Sequence, residues 1–199
     1  MFFKFIKSPR SLRDRPPFSK WVISVAIAIN KQCGHKKKCP VQSAQRILFV
    51  CGGNTGRSPM AESLANDYFN FSAAGYEAFS RGVYVNPSEI MPEKNAVTVM
   101  HQWSQLSNID AHRAQSVTAS DIDSANIVLT MTATQKEKLL SLDPHAAKKI
   151  FLLCQCADGS TQDVSDMYGH NLAFYQQISK QIAHYLQLIK AHGFSCYAK

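Results

Sequence analysis

From Arg46 onward, short apolar runs alternate with segments of helical spacing, and this alternation limits the fold more than any other feature of the chain. "RILFV" (46–50), "ANIVLTM" (125–131) and "KIFLLC" (149–154) read as buried strands, and "YEAFS" (76–80) as a further one. Continuous apolar runs suit strands covered on both faces, the condition of a parallel sheet. Helical spacing occupies the gaps. One helix opens at Ser58 and Pro59, with serine as the cap and proline at the first helical position, and runs to about Phe69. A second lies in "PEKNAVTVMHQWSQL" (92–106), and a short third, "TQKEKLLSL" (134–142), is capped by Thr132 or Thr134. From Asn171 to about Ala191, the spacing of Leu172, Tyr175, Ile178, Ile182, Tyr185, Leu186 and Ile189 is that of a long amphipathic helix. Strands alternating with helices imply an α/β fold, a parallel sheet with helices on both faces in a single domain.

Charge separates this body from what precedes it. Residues 1–45 hold ten Lys or Arg and one acid, whereas the other 154 hold twelve basic and thirteen acidic side chains, so the net charge of +8 belongs to the N-terminal segment. With Pro9, Pro16, Pro17 and Pro40 and no sustained period, residues 1–45 read as a flexible basic extension, residues 46–192 as the folded domain and 193–199 as a tail. The run "WVISVAIAI" falls well short of the roughly 20 apolar residues that span a bilayer. No A-x-A pattern follows it, which argues against export. A basic segment with an apolar run is compatible with weak membrane association; nucleic-acid binding is not expected of a body with no basic excess. The six cysteines form no dense disulfide framework, which points to a reducing, cytoplasmic setting. "CGHKKKC" (33–39) offers too few ligands for a zinc site, so no metal and no cofactor is expected.

"CGGNTGRSP" (51–59) follows the first strand and opens the first helix. Glycines let backbone N–H groups converge on one point, and the helix start adds about half a positive charge there. That is an anion cradle. It lacks the Gly-Lys-Ser/Thr ending of a Walker loop and the pattern of a dinucleotide fingerprint. A cysteine after an apolar run would by itself read as a core thiol. Placed in such a nest six residues before Arg57, Cys51 reads as a nucleophile, since donors and a guanidinium favour the thiolate. Arg57 can fork onto two phosphoryl oxygens, and the Ser58 hydroxyl can donate to the sulfur.

The longer string "VCGGNTGRSPMAE" resembles the signature loop of the low-molecular-weight protein tyrosine phosphatases, V-C-x-G-N-x-C-R-S-P-x-A-E, matching at Val50, Cys51, Gly53, Asn54, Arg57, Ser58, Pro59, Ala61 and Glu62. The resemblance extends over residues 46 to 190. It implies a four-stranded sheet of order 2-1-3-4 and hydrolysis of phosphotyrosine through a phosphocysteine. It implies catalysis by Cys51, Arg57 and Asp166, and phosphate binding by Gly52, Gly53, Asn54, Thr55, Gly56, Arg57 and Ser58. In "QDVSDMYGHN" (162–171), Asp166 stands where the family has its general acid, with Asp163 as a local competitor, and Tyr168 matches an aromatic wall. Without the loop, Asp166 would read as a cap of the last helix. In "DAHRAQSVT", His112 is implied to support Asn54 from behind. The partner is then a phosphorylated protein.

Departures from the pattern concern rate and specificity. Gly56 replaces a second cysteine that can form a reversible disulfide with the nucleophile, so over-oxidation of Cys51 is harder to avoid. Gly52 replaces a larger wall residue, Met167 the proline of the acid loop, and Arg81 a small residue, where it reads equally as a solvated charge. Thr55 is the residue that members acting on phosphoarginine carry, where many tyrosine phosphatases have isoleucine, which makes an arginine phosphatase the alternative. Arsenate reduction fits less well, because Pro59 stands where those enzymes usually have Gln and residues 121–130 contain no cysteine. A phosphate-binding module without turnover is the remaining reading.

Overall fold

The structure, a computed structural model, describes residues 45–193. The expectations for the basic segment, for "CGHKKKC" and for residues 194–199 lie outside the described residues. Four strands, β1 (Gln45–Cys51), β2 (Tyr76–Gly82), β3 (Ile127–Thr130) and β4 (Ile150–Leu152), form one parallel sheet of order β2-β1-β3-β4. The helices are α1 (Arg57–Ser63), α2 (Lys94–Trp103), α3 (Ala119–Ser124), α4 (Ala133–Leu142), α5 (Leu153–Ala157) and α6 (Leu172–His192). A π-helical stretch, Leu64–Tyr68, continues α1.

The apolar run of β1 is buried from Ile47 to Cys51, and its alternation divides the core in two. Ile47, Phe49 and Cys51 pack with residues of α1, α2, α5 and α6 on one face, while Leu48 and Val50 pack with Ile122 of α3 and Leu139 of α4 on the other. Full burial of each such side chain is worth roughly 1.5–3 kcal/mol. A strand that is apolar on both sides therefore has to be central, and β1 is flanked by β2 and β3. The chain passes from β1 to one neighbour and later to the other, so the loop after β1 lies at the point where strand order reverses, the usual ligand crevice of open α/β sheets.

Several local readings change. Ser58 does not cap α1: the cap position is Gly56, with no side-chain hydrogen bond, and Arg57 is the first helical residue. The Ser58 hydroxyl is turned to the thiol instead. β4 stops at Leu152, where α5 begins, because the Gln155 side chain accepts the Leu152 N–H at 2.9 Å and takes it from the sheet. Thr132, not Thr134, caps α4, paired with Gln135 in a capping box. Arg81 is no solvated charge; its guanidinium meets Asp121 at 3.0 Å and the Ser80 carbonyl at 2.8 Å. Asn171 caps α6 by accepting the Phe174 N–H at 3.1 Å.

Candidate active site

The loop between β1 and α1 is organised around Asn54. Asn54 is fully buried at φ 58°, in the left-handed region that asparagine tolerates better than most residues. All of its polar groups are engaged. Its backbone N–H points to the Cys51 sulfur at 3.3 Å, and its side-chain amide donates to the Ser58 and Ser80 hydroxyls, each at 2.9 Å. Its side-chain carbonyl accepts the Gln115 N–H at 2.9 Å, and its backbone carbonyl accepts from His112 Nε2 at 2.8 Å. The bond to Asn54 assigns the His112 proton to Nε2, and burial lowers the pKa of the ring below its ordinary value. Ser80 in turn donates to Glu62 at 2.6 Å, and burial pushes the Glu62 carboxyl up.

Cys51 ends β1, where it is a free, buried thiol with the Ser58 hydroxyl 3.0 Å from its sulfur. The amides of Gly53, Thr55 and Gly56 donate to no acceptor among the described residues, which leaves them for a bound anion. Arg57, buried at the start of α1, donates through Nη1 to the Val164 carbonyl at 3.0 Å, while Nη2 lies 3.2 Å from Asp166 Oδ1. The guanidinium thus ties the loop to the segment that carries Asp166. Asp163 is held elsewhere, accepting the Ala133 N–H at 2.9 Å.

Cys51, Gly53, Thr55, Gly56, Arg57, Asp166 and Tyr168 open on one cavity of about 150 Å³. Of the other residues singled out in the sequence, Gly52, Asn54, Ser58 and His112 do not line it. Asn54 and Ser58 are buried, and His112 reaches the loop only through Asn54. The cavity walls add Tyr84, Asn86, Glu89, Glu93 and Met167, of which only Met167 drew notice in the sequence. Glu93 accepts from the Thr55 hydroxyl at 2.9 Å and from the Tyr175 hydroxyl, and its own N–H reaches the Thr55 carbonyl at 2.9 Å. Burial raises the pKa of its carboxyl, against the opposing pull of the Thr55 hydrogen bond. In the sequence, Glu93 showed only as an acid after a proline at a helix start. For Tyr84 the available signal was a tyrosine two residues beyond the end of a strand.

Two glycines permit the close approach of these parts. A Cβ at Gly82, the last residue of β2, would stand 2.7 Å from the Gly52 carbonyl oxygen. A Cβ at Gly56 would stand 2.8 Å from both Glu93 Oε1 and the terminal methyl of Met167. Gly56→Ala should therefore cost about 1–3 kcal/mol of stability by overpacking, read as a lowered Tm. It should also lower kcat, because Met167 must shift next to Asp166. An unchanged Tm and kcat would show that Met167 moves aside freely.

Comparison with known proteins agrees with this geometry. A family model described as low molecular weight phosphotyrosine protein phosphatase matches residues 46–192. A protein-arginine-phosphatase of Geobacillus stearothermophilus is 33% identical over 131 residues, which is 66% of this chain and 84% of that protein. A low molecular weight protein-tyrosine-phosphatase of Staphylococcus epidermidis is 30% identical over 145 residues, 73% of this chain and 96% of that one. Among solved structures, the low molecular weight protein tyrosine phosphatase from T. tengcongensis superimposes with a TM-score of 0.67 at 34% identity, over 73% of this chain and 97% of its own. A parallel sheet with a cysteine-arginine anion loop at its strand-order reversal, together with a match over residues 46–192, shows that this chain belongs to the low molecular weight phosphotyrosine protein phosphatase family of cysteine-dependent phosphatases.

Proposed function

We propose that the chain hydrolyses phosphotyrosine in proteins. The observation that carries this reading is that the Cys51 sulfur, the Arg57 guanidinium and the Asp166 carboxyl open on one cavity bordered by two exposed aromatic side chains, Tyr84 and Tyr168. Aromatic walls suit a flat phosphoaryl group. The Cys51 thiolate attacks phosphorus, and the bond from phosphorus to the aryl oxygen breaks. The departing oxygen keeps the electron pair and takes a proton from Asp166. Arg57 and the loop amides hold the equatorial oxygens as charge moves through them. Water then attacks the phosphocysteine and gives its proton to the Asp166 carboxylate. The bond from phosphorus to sulfur breaks, and the thiolate and inorganic phosphate are released. This chemistry needs Cys51 reduced, which suits a cytoplasmic setting.

A second reading, phosphoarginine, is favoured by the hydrogen bond from Thr55 to Glu93 at the cavity wall. Glu89, Glu93 and Asp166 give the cavity three carboxyl groups, and a guanidinium leaving group is cationic. The two substrates are separated by measuring kcat/KM on phosphotyrosyl and phosphoarginyl forms of one peptide. The expected result is a preference for phosphotyrosine that rises about tenfold in Thr55→Ile, a change in scale with one altered pocket group. A wild-type preference for phosphoarginine would transfer the function to the second reading.

A further inference from the structure

A second depression, of about 290 Å³, adjoins the catalytic cavity and shares Thr55, Glu89, Glu93 and Tyr168 with it. Its apolar surface comes from Ile90 and Met91, which are 39% and 53% exposed. Six large hydrophobic side chains are exposed among the described residues, and four of them, Tyr84, Ile90, Met91 and Tyr168, line these two cavities. Apolar groups scattered singly over a surface need no explanation, but a group gathered at one mouth marks a contact surface. The segment that carries them is tied down. The Ile90 carbonyl accepts the Ala114 N–H at 2.8 Å, and Asn86 receives the Ser88 N–H on its side chain and the Glu89 N–H on its backbone, each at 3.0 Å. A surface already ordered loses little freedom when it is covered.

We infer that this depression is a substrate subsite that receives an apolar side chain next to the phosphorylated residue of a protein substrate. The inference rests on the reading of the chain as a phosphoprotein phosphatase. Continuity identifies the occupant: the two cavities share walls, so a polypeptide whose phosphorylated side chain reaches Cys51 passes over the second depression. Successive Cα atoms are about 3.8 Å apart, which puts the neighbouring side chain within reach of Ile90 and Met91. The Glu89 and Glu93 carboxyls between the two cavities repel an acidic neighbour and leave an apolar one unopposed.

The full chain is assayed on p-nitrophenyl phosphate and on peptides that differ only in having Leu or Glu on either side of the phosphorylated residue, in whichever phosphorylated form the preceding comparison favours. The wild type should favour the Leu peptide by about tenfold in kcat/KM, the scale of discrimination at an apolar pocket. The double variant Ile90→Ser/Met91→Ser should lose that preference and keep p-nitrophenyl phosphate turnover unchanged, while Ile90→Val/Met91→Leu should retain it. Equal wild-type rates on the two peptides, or a preference that survives in the serine variant, would overturn the subsite. A rise in p-nitrophenyl phosphate turnover in the serine variant would overturn it too, because the rim would then be covered by another part of the chain or a second copy. Failure of the wild type on p-nitrophenyl phosphate would fail the phosphatase reading itself and the subsite with it.

Discussion

Cys51→Ser is expected to lower turnover of a small aryl phosphate by at least about 10⁴-fold, the scale seen when a nucleophile is removed. A serine hydroxyl at this place has the Asn54 N–H and the Ser58 hydroxyl nearby. Both can donate to it, and neither removes its proton. The anion cradle should survive, because Arg57 is held by the Val164 carbonyl and Asn54 by Ser58, Ser80, Gln115 and His112. The variant should therefore bind inorganic phosphate with an affinity within a few-fold of wild type. A steady-state rate within tenfold of wild type would remove Cys51 from the mechanism. Joint loss of rate and phosphate binding would point to a collapsed loop instead.

Asp166→Asn is expected to lower kcat on phenyl phosphate by about 10²- to 10⁴-fold, the usual worth of a positioned general acid. The loss should be much smaller on p-nitrophenyl phosphate, whose leaving group departs with little help from a proton. Stability should hardly change, since the carboxyl is 68% exposed and its contact with Arg57 is an ion pair of the kind worth about 0–1 kcal/mol. Asp163→Asn is the control. Asp163 faces the Ala133 N–H at the start of α4, so its replacement should leave both esters turned over at near wild-type rates. Equal losses on the two esters in Asp166→Asn, or a larger loss in Asp163→Asn, would reassign the acid.

The parts of this molecule that the sequence displays are those decided by near neighbours. The loop from Cys51 to Pro59 is a strand end, a turn and a helix start within nine residues, and its chemistry is written in consecutive letters. The sheet could be read because β1 is apolar on both of its faces and so has to be central. Of the two roles expected of Ser58, cap of α1 and donor to the Cys51 sulfur, only the second holds. Serine before proline is a good helix start, but here a sulfur 3.0 Å away competes for the hydroxyl, and the cap position falls to Gly56. Gln155 ended β4 early in the same manner, through a side-chain bond that no propensity scale records. Glu93 and Gly82 were invisible as site residues because each acts through space. Glu93 meets Thr55 across 38 positions, and Gly82 leaves room for the Gly52 carbonyl.

The packing of Met167 and Glu93 against Gly56 has a consequence for how such an enzyme can change over time. Residues 56 and 167 are far apart in the chain, yet they compete for the same space, so a change at one constrains the other. A cysteine at 56, placed there as a guard against oxidants, would need room from both the Met167 methyl and the Glu93 carboxyl. At the bench, a Gly56→Cys change made to give Cys51 a resolving thiol has to be paired with a smaller residue at 167 and with a shift or replacement of Glu93. The room for a resolving thiol and the bulk of Met167 and Glu93 are thus one constraint in this chain, set by the missing side chain of Gly56.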